Sequence, residues 1–417
     1  MQGEVDTLND VFERFLNDAG VFKDRDVLRH EYLPGRLPHR EEQVKNVGMV
    51  VAPLLRENRC SNIFIYGETG TGKTAVIKFV LQRLVQKAAE VGACVRTAYV
   101  NCRLVGTEYR AFKKICDALN IHVPFTGLAV GEVFDRLKDG LENLQISLIV
   151  VLDELDEMIK TRGNVLLYEL TRVNESLDGS AVSIVGISND LRFRELLESR
   201  VLSSLSEEEV LFNPYNASEL QDILSERADL AFSNGKLHDG ALSLCAALAA
   251  SQHGDARRAL DLLRVAGEVA ERKNAEGITE EHVREAERRI EHDRVIEAIR
   301  NLTIHSKLAL HSVHLIRKAG IFSSITGDIY QVYSEICGEL GISALTQRRV
   351  STLISELDSI GLLNSTVISR GRYGRTKKTS LAISRRALKE AYSKDNHLGQ
   401  LNGFTPTCLK LKPTKLT

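Results

Sequence analysis

Eight consecutive residues match the phosphate-loop pattern G-x-x-x-x-G-K-[ST]: Gly67, Glu68, Thr69, Gly70, Thr71, Gly72, Lys73 and Thr74. An apolar run, residues 63–66, precedes the motif, and a helical pattern begins at Ala75. In this context glycines let backbone N–H groups surround a phosphate, the lysine reaches the β- and γ-phosphates, and the threonine hydroxyl binds Mg²⁺. We therefore predict that residues 67–75 bind a nucleoside triphosphate.

A second apolar run ends in two acids, Asp153 and Glu154. After a phosphate loop, a hydrophobic strand with this ending is typical of the Walker B arrangement. Asp153 would hold the Mg²⁺ together with Thr74, and Glu154 would orient or deprotonate the attacking water. The two motifs together predict an ATPase with ATP/ADP and Mg²⁺ as cofactors.

A third apolar run, residues 184–188, ends at Asn189. Ligands of open α/β sheets bind at the carboxyl ends of the strands, where an amide could reach the γ-phosphate or the attacking water. An asparagine at a strand end could equally cap the following turn. The residue alone leaves both interpretations open.

Residues 45–213 alternate strand-like runs with helical patterns, which indicates a parallel sheet covered by helices. The strand-like runs are residues 63–66, 96–101, 148–153, 183–188 and 210–212. We predict an α/β nucleotide-binding base domain over residues 1–213, including an N-terminal strap.

The next segment, to about residue 293, is helical throughout. It begins with a capping box at Asn216 and Glu219 and is interrupted at residues 233–235 and at Gly277. We predict a helical lid domain over residues 214–293.

The last third of the chain has a different pattern and a different charge. Two helices, residues 326–340 and 346–360, precede two strands, residues 362–368 and 379–383. From Val295 onward 18 Lys and Arg accompany 8 Asp and Glu, whereas the preceding part has 37 against 48. A basic domain favours a polyanionic partner, although a merely solvated basic domain is the alternative. We predict a winged-helix domain over residues 294–392 and a poorly ordered basic tail over residues 393–417.

The helix predicted over residues 346–360 has one apolar stripe, formed by Val350, Leu353, Ile354, Leu357 and Ile360. Arg348 and Thr352 project from the opposite face, and Arg349 lies near its border. In the major groove of DNA, these side chains and Gln347 could reach base edges.

The turn between the two predicted strands combines glycines with cations and one aromatic residue. Its candidate DNA contacts are Arg370, Arg372, Tyr373, Arg375, Lys377 and Lys378. Cations would neutralise phosphates, and the glycines would permit close approach. Because this turn follows the candidate recognition helix, we interpret the domain as a winged helix that binds double-stranded DNA. An exposed hairpin without a ligand is the alternative.

Composition limits the kinds of protein to which the chain could belong. At 417 residues the chain is long enough for two to four domains. The seven cysteines include no C-x-x-C pair, which favours reduced thiols over disulfides or zinc. No apolar run is long enough to cross a bilayer, and the N-terminus lacks a hydrophobic signal segment. We expect an intracellular, nucleoid-associated prokaryotic protein without a membrane partner.

The order of Walker A, Walker B, strand-end Asn and helical lid resembles the AAA+ ATPases. The resemblance makes Asn189 the sensor 1 residue and Arg257, within residues 254–260 of the lid, the sensor 2 residue. Further segments resemble the archaeal replication initiators related to the origin recognition complex and the cell-division-cycle loader. These segments are residues 21–24, 32–41, 199–205 and 210–212. With the C-terminal domain, the resemblance covers nearly all of residues 20–390.

The resemblance implies roles for residues outside the main motifs. Phe22 and Lys23 would wall the adenine site with Pro38, His39 and Arg40, unless this segment is a plain strap. Arg200 would be an arginine finger for a neighbouring subunit, with an intramolecular salt bridge as the alternative. Arg257 could instead be a surface charge. An insertion at residues 121–136 would touch DNA, although core packing explains its apolar residues nearly as well.

These features predict a DNA-replication initiator that binds origin duplex DNA and helps to recruit or load the replicative helicase, with paralogous initiator subunits as further partners. The initiator and helicase steps are implied by the resemblance. Two alternatives remain from the residues alone. One is a winged-helix ATPase that regulates transcription, and the other is a motor or clamp-loader ATPase whose basic module binds protein partners.

The Lys73→Ala variant should lose ATP binding, because no cation remains at the β- and γ-phosphates. It should remain folded and still bind duplex DNA, since the predicted DNA module is elsewhere in the chain. Nucleotide titration and duplex-binding assays of the same preparation check both parts. Retained ATP affinity would overturn the phosphate-loop assignment.

Overall fold

The computed structural model describes residues 20–205, 207–369, 375–392, 401 and 404–410. The chain divides into two compact units, Met1–Ala286 and Glu287–Thr417. The predicted base and residues 214–286 of the predicted lid belong to the first unit, and residues 287–293 of the predicted lid belong to the second.

The first unit contains the predicted parallel sheet. Its strands are β1 (Asn62–Gly67), β2 (Val95–Asn101), β3 (Ser147–Asp153), β4 (Ala181–Ser188) and β5 (Glu207–Phe212). They pair in the order β2-β3-β4-β1-β5, and all pairs are parallel. The central strands β1, β3 and β4 are almost wholly buried because helices cover both faces, which is why they are continuous apolar runs. All five predicted strands are confirmed.

Helices and short 3₁₀ segments connect these strands. The helices of the base are α1 (Glu41–Val51), α2 (Lys73–Val91), α3 (Cys102–Val105), α4 (Glu108–Ala118), α5 (Val130–Leu144), α6 (Leu155–Arg162), α7 (Val165–Arg172) and α8 (Ser199–Ser204). The 3₁₀ segments are Asp26–Leu28, Ala52–Arg56, Val173–Glu175 and Phe193–Leu196. Two apolar clusters, one around Phe112 and one around Ile77, lie on the helix-covered faces of the sheet.

Register brings the functional strand ends to one edge of the sheet. Tyr66 of β1 pairs with Ser188 of β4, and Asn101 of β2 pairs with Asp153 of β3. In a parallel sheet all carboxyl ends meet at one edge, so the phosphate loop after β1 lies beside Asp153 and Asn189.

The lid follows the base as a set of packed helices. They are α9 (Ala217–Ala231), α10 (Asp239–Ala250), α11 (Ala256–Arg272) and α12 (Glu280–Arg300). The capping box at the start of α9 is confirmed, since Asn216 and Glu219 exchange side-chain-to-backbone hydrogen bonds of 2.9 Å each. The predicted interruptions at residues 233–235 and Gly277 both fall between helices.

The second unit has the helices and strands of a winged helix. Its helices are α13 (Ile304–Lys318), α14 (Thr326–Glu339), α15 (Gln347–Ser359), α16 (Arg385–Tyr392) and α17 (Thr407–Lys410), and its strands are β6 (Ser324–Ile325), β7 (Leu363–Ser369) and β8 (Arg375–Leu381). The strands form an antiparallel sheet in the order β6-β8-β7.

The buried stripe predicted for α15 needs one correction. Val350, Leu353, Ile354 and Leu357 are buried as predicted, but Ile360 is 52% exposed. The helix ends at Ser359, so Ile360 leaves the 3.6-residue repeat that would have turned it inward.

Two predictions concern parts of the chain that are only partly described. Arg370, Arg372 and Tyr373 of the predicted wing lie outside the described residues, as does most of the predicted tail. Within that tail, the short helix α17 is fixed to α14, since the backbone N–H of Cys408 donates a 3.1 Å hydrogen bond to Glu335. The expectation of poor order in the remaining tail stays a prediction.

His311 of α13 gives the second unit a pH dependence. Its ring is 8% exposed and packs edge-on against Tyr392 at 5.3 Å, and neither ring nitrogen finds a hydrogen-bond partner among the residues described. Burial, with smaller effects of His314 and Lys318, lowers the pKa of His311 from 6.5 to about 4.

The unfolded chain therefore takes up this proton near pH 6.5, and the folded chain only near pH 4. The free energy of unfolding is therefore highest above about pH 6.5 and falls by roughly 3 kcal/mol as the pH drops from 6.5 to about 4. Amide exchange of α13 between pH 4 and 7 measures it. His311→Phe, which keeps an aromatic ring but cannot titrate, should flatten the dependence; an unchanged profile would contradict the assignment.

Candidate functional site

A cavity of about 290 Å³ lies at the carboxyl edge of the sheet in the first unit. It is lined by the phosphate loop, the ends of β2, β3 and β4, the strap and the lid. The predicted site residues on its walls are Pro38, Thr69, Gly70, Thr71, Gly72, Lys73, Thr74, Ala75, Asp153, Glu154, Asn189 and Arg257. Residues from five separate parts of the sequence thus converge on one site.

The phosphate loop has the backbone conformation that its glycines allow. Gly70 and Gly72 have φ angles of +78° and +91°, in the left-handed region that favours glycine. Space is also restricted, because a Cβ at Gly70 would lie 1.8 Å from an oxygen of Asp255, and one at Gly72 would lie 2.7 Å from the hydroxyl of Tyr215. These two glycines therefore make room for the lid as well as for a phosphate.

Lys73 begins helix α2 and is only 5% exposed. Its ammonium donates hydrogen bonds to the carbonyl oxygens of Gly67 (2.7 Å) and Glu68 (2.6 Å) and to Oδ1 of Asn189 (2.9 Å). Loss of hydration, only partly offset by the charge of Asp153, lowers the pKa of Lys73 from 10.5 to about 8. The helix N-terminus and this cation both favour an anion here.

The carboxylate of Asp153 collects hydroxyl groups from two neighbouring elements. Thr74 donates its hydroxyl to Oδ2 at 2.9 Å, and the hydroxyl of Tyr99 donates to the same oxygen. A hydroxyl and a carboxylate are hard oxygen ligands of the kind that Mg²⁺ prefers. No group of three His, Cys, Asp or Glu in the described part of the chain could hold a metal ion. The hydroxyl of Thr74 and the carboxylate of Asp153, 2.9 Å apart, fit the kind of oxygen ligands that a Mg²⁺ would take.

Glu154 and Asn189 follow adjacent strands. Glu154 has φ +53°, an uncommon conformation for a residue other than glycine, and its N–H donates a 3.0 Å bond to Asp153. The N–H of Asn189 donates to Oδ1 of Asp156 at 3.3 Å, and Lys160 contacts Asp156 and Asp190. The side chain of Asn189 thus contacts Lys73, and its backbone is held by Asp156.

Arg257 of the lid lies on the cavity wall at the start of α11. Asp255 caps this helix by accepting bonds from the N–H groups of Arg257 (2.8 Å) and Arg258 (3.3 Å). Arg257 lines the cavity and Arg258 does not. The structure therefore places the predicted sensor 2 position where a γ-phosphate could be reached.

Of the strap residues that the resemblance implied, Pro38 lies on the cavity wall, together with strap residues that were not predicted. The wall is formed by His30, Glu31, Tyr32, Leu33, Pro34, Arg36, Leu37 and Pro38, facing Ile223 and Leu260 of the lid. Its apolar members suit a planar base.

Four predicted adenine contacts lie away from this cavity. Phe22 packs on Phe232 with 5.0 Å between ring centroids, and the N–H of Lys23 donates a 2.8 Å bond to Ala231. His39 contacts Asp222 at 2.8 Å, and Arg40 lies behind the phosphate loop. These contacts attach the strap to its neighbours. Phe22, Lys23 and His39 attach it to the lid, and Arg40 attaches it to the phosphate loop.

Arg200 also lies outside the cavity of its own chain. Its Nε is 2.6 Å from Glu198, its guanidinium lies 4.8 Å from the ring centroid of Tyr168, and its side chain is more than half exposed. The intramolecular salt bridge is present, and action on a neighbouring subunit stays a prediction. In the predicted insertion, Val123 is buried, whereas Phe125 is 68% exposed beneath Arg110 at 5.7 Å.

In the second unit, the predicted DNA-binding face of α15 is exposed. Gln347, Arg348, Arg349 and Thr352 all lie on it, and Arg349 forms a 3.4 Å ion pair with Glu356. Lys378 is exposed on β8.

The ammonium of Lys377, a half-buried residue of β8, contacts α15. It donates a 3.0 Å bond to the carbonyl oxygen of Ser351 and another to the hydroxyl of Ser355. Strand β8 of the wing is thereby fixed to the candidate recognition helix. Arg375 begins this strand.

Sequence reasoning missed Tyr99, Asp156, Tyr215 and Arg227. Asp156 had a signal, since it follows Asp153 by three residues and so shares the first turn after β3. Arg227 is a buried lid residue on the cavity wall whose guanidinium bonds the carbonyl oxygens of Val27 (2.9 Å) and Tyr32 (3.1 Å). Its partners lie almost 200 positions away, so no local pattern indicates it.

Three family models match successive parts of the chain. They are an AAA domain over residues 56–195, a Cdc6 AAA+ ATPase-type lid domain over residues 221–288 and a CDC6 C-terminal winged helix domain over residues 297–391. The predicted fold class is confirmed.

Curated relatives match nearly the whole length. ORC1-type DNA replication protein 1 of Archaeoglobus fulgidus is 47% identical over 401 residues, which cover 96% of this chain and 98% of the relative. The ORC1-type DNA replication protein of Thermococcus onnurineus is 48% identical over 395 residues, which cover 94% and 95%. The chain belongs to the ORC1-type DNA replication proteins.

Solved structures agree with this membership. The Aeropyrum pernix ORC1 protein in complex with DNA is 48% identical, with a TM-score of 0.82 and coverage of 92% of this chain and 100% of that chain. The Cdc6p protein of Pyrobaculum aerophilum, 21% identical with a TM-score of 0.57, shares the fold. This ORC1-type chain is thus a DNA-replication initiation protein with an AAA+ ATPase domain. Its described helices include none with the length and apolarity to cross a membrane.

The lowered pKa of Lys73 predicts a pH-dependent nucleotide affinity. A triphosphate stabilises the charged ammonium, so above about pH 8 binding must be accompanied by proton uptake, and affinity should fall by up to about tenfold per pH unit. Titration of ATP between pH 7 and 9.5 measures this. Lys73→Arg is the control, because its guanidinium stays charged and any remaining affinity should not change. A flat wild-type profile would show that the ammonium does not contact the phosphates.

Proposed function

We propose that this chain initiates replication by binding origin duplex DNA under the control of ATP, and that it helps to recruit or load the replicative helicase. The observation that carries the proposal is one chain with both a convergent ATP site and a winged-helix unit, in an order shared with ORC1-type relatives over nearly its whole length. Hydrolysis is Mg²⁺-dependent and slow, and acts as a switch. The protein works at the chromosome in the cytoplasm, with paralogous initiator subunits as further partners.

Binding of ATP follows from the charges and donors around the cavity. The first N–H groups of α2 and the ammonium of Lys73 hold the β- and γ-phosphates. Thr74 and Asp153 would hold a Mg²⁺, which would supply positive charge to the phosphates. The apolar strap residues, with Tyr32 and Leu37 among them, hold the adenine.

Hydrolysis requires groups on opposite sides of the γ-phosphate. The Glu154 carboxylate orients the attacking water and accepts its proton, and Asn189, held by Lys73 and Asp156, fixes the geometry. Arg257 approaches from the lid and stabilises the transferred charge. Because Arg200 is outside its own cavity, the full set of cations requires a second subunit, and a single chain hydrolyses ATP slowly.

DNA binding uses helix α15 and the wing as one surface. Arg348, Gln347 and Thr352 are exposed where they could reach base edges, and Arg349 contributes positive charge near the border. Lys377 fixes the wing strand to α15, and Lys378 and Arg375 with the adjacent loop residues contact phosphates. The structure of the Aeropyrum pernix ORC1 protein in complex with DNA supports DNA binding by this chain.

The relatives also favour one of the candidate functions over the others. A transcription regulator or a clamp loader with these motifs would be expected to resemble other classes over its length. Its curated relatives at 44–48% identity include ORC1-type DNA replication proteins from several archaea. Initiation is therefore the function that the chain supports best.

Replacing Arg370, Arg372 and Arg375 together by Ala should weaken duplex binding for all sequences. Each lost phosphate contact makes the negative slope of log K against log salt shallower by about one. The slope of the triple variant should therefore be shallower by about three. Fluorescence titration with origin and unrelated duplexes over 50–300 mM salt measures both quantities. Lys87→Ala, an exposed cation of α2 in the first unit, is the control and should leave the slope unchanged.

The same variants distinguish initiation from transcription control in cells. Genome-wide mapping of bound DNA should give one or a few origin regions for the wild type and for Lys87→Ala, and none for the triple variant. Occupancy spread over promoters would contradict the initiator assignment. An unchanged salt slope would place the DNA site elsewhere.

A further inference from the structure

Arg40 lies behind the phosphate loop, on the side away from the cavity. It is the N-cap residue of helix α1, is 4% exposed, and donates to three backbone carbonyl groups. Nε bonds Thr71 (2.9 Å), Nη1 bonds His39 (3.0 Å), and Nη2 bonds Asn213 (2.7 Å). One guanidinium thus joins the phosphate loop to residue 213, the point at which the chain leaves the sheet for the lid.

The connector between sheet and lid, residues 213–216, packs around the same guanidinium. The ring of Tyr215 lies 3.8 Å from the Arg40 Cζ, and the Tyr215 N–H donates a 3.3 Å bond to Gly254 at the start of the sensor 2 segment. The Tyr215 hydroxyl lies against Gly72, where a Cβ would be 2.7 Å away. Loop, connector and sensor 2 segment therefore share one small contact region.

Two further links run parallel to Arg40. The N–H of Ala256, first residue of the helix that carries Arg257, donates a 3.2 Å bond to the carbonyl oxygen of Gly70. On the strap, His39 contacts Asp222 of α9 at 2.8 Å, although its own φ is +59°. Neighbouring residues of the strap thus contact the lid on one side and the phosphate loop on the other.

Each carbonyl partner of Arg40 is reached by a different nitrogen of one planar fork, whereas a lysine would have to reach all three from the single nitrogen at the end of its chain. Arg40 can therefore transmit a small movement of Thr71 to Asn213, which a lysine would not. Burial opposes its charge and lowers its pKa, so the cation is retained at some cost to stability.

We propose that Arg40 is a positioning residue that couples the phosphate loop to the base–lid connector, so that the lid, and Arg257 with it, responds to whether a γ-phosphate is bound. The proposal deepens the proposed ATP switch and rests on it. Arg40 itself touches no nucleotide. Arg40 contributes to the difference between the responses of the protein to ATP and to ADP, and not to the overall affinity for nucleotide.

The test compares Arg40→Lys and Arg40→Gln with the wild type, and with Arg29→Lys as a matched control. Arg29 is an exposed strap residue that pairs with Asp26 at 2.8 Å. For each protein, the Kd for ATP and ADP, kcat and amide exchange of residues 213–220 and 254–260 are measured with each nucleotide. In the wild type, ATP should protect both segments more than ADP does.

In the Arg40 variants the ADP affinity should stay within about threefold, the preference for ATP over ADP should fall five- to fiftyfold, and kcat should fall about tenfold. The extra ATP-dependent protection should disappear, whereas Arg29→Lys should keep it. If Arg40 were merely structural, its replacement would weaken the binding of ATP and ADP equally and would keep the difference in amide-exchange protection between them. That result would overturn the proposal.

The wild-type exchange data test the proposal even where a variant does not fold. Equal protection of residues 213–220 by ATP and ADP would by itself overturn the coupling. Failure of the proposed function looks different, because the wild type would then bind neither nucleotide.

Discussion

The nucleotide site depends on one buried cation. Lys73 has lost most of its water and is held by two carbonyl oxygens and the amide oxygen of Asn189, which supply dipoles but no full charge. Such a cation is poorly compensated, which is why its pKa is low, and a triphosphate compensates it well. The register of the sheet, the glycines of the loop and the position of Asn189 all serve to hold this charge where phosphates bind.

A similar arrangement recurs behind the loop and in the lid. Arg40 and Arg227 are buried guanidinium groups whose partners are backbone carbonyls of segments far away in sequence. Arg40 holds the loop and the connector, and Arg227 holds the strap that walls the cavity. Each joins pieces that side-chain packing alone would leave free to slide, because a forked donor fixes direction as well as distance. The first unit is therefore organised around cations at three places.

The second unit has a different requirement, because it must expose cations on its surface and still hold that surface rigid. The buried face of α15 packs into the apolar cluster of this unit, and its exposed face carries Arg348 and Thr352. Lys377 is used internally, fixing β8 to Ser351 and Ser355. A charge predicted to meet phosphate thus contributes to the geometry of the surface that the other charges occupy.

The fold class, the five strands and the capping box at Asn216 could be predicted from the sequence, and the structure confirms them. The sequence also predicted Lys73, Asp153, Glu154 and Asn189 as site residues, and all four line the cavity. These features depend on local periodicity and on motifs whose chemistry needs fixed spacing. The sequence did not determine the contacts of Phe22, His39 and Arg40, the contact of Lys377 with α15 or the exposure of Ile360. Nor did it indicate Tyr99, Tyr215 or Arg227, and Asp156 had only the signal of its place three residues after Asp153. Most of these contacts join residues that are far apart in sequence and are brought close by strand pairing, by the packing of the lid on the base or by the packing of the wing on α15, whereas Ile360 is exposed because α15 ends at Ser359. Contacts between distant segments leave no mark in the local sequence pattern.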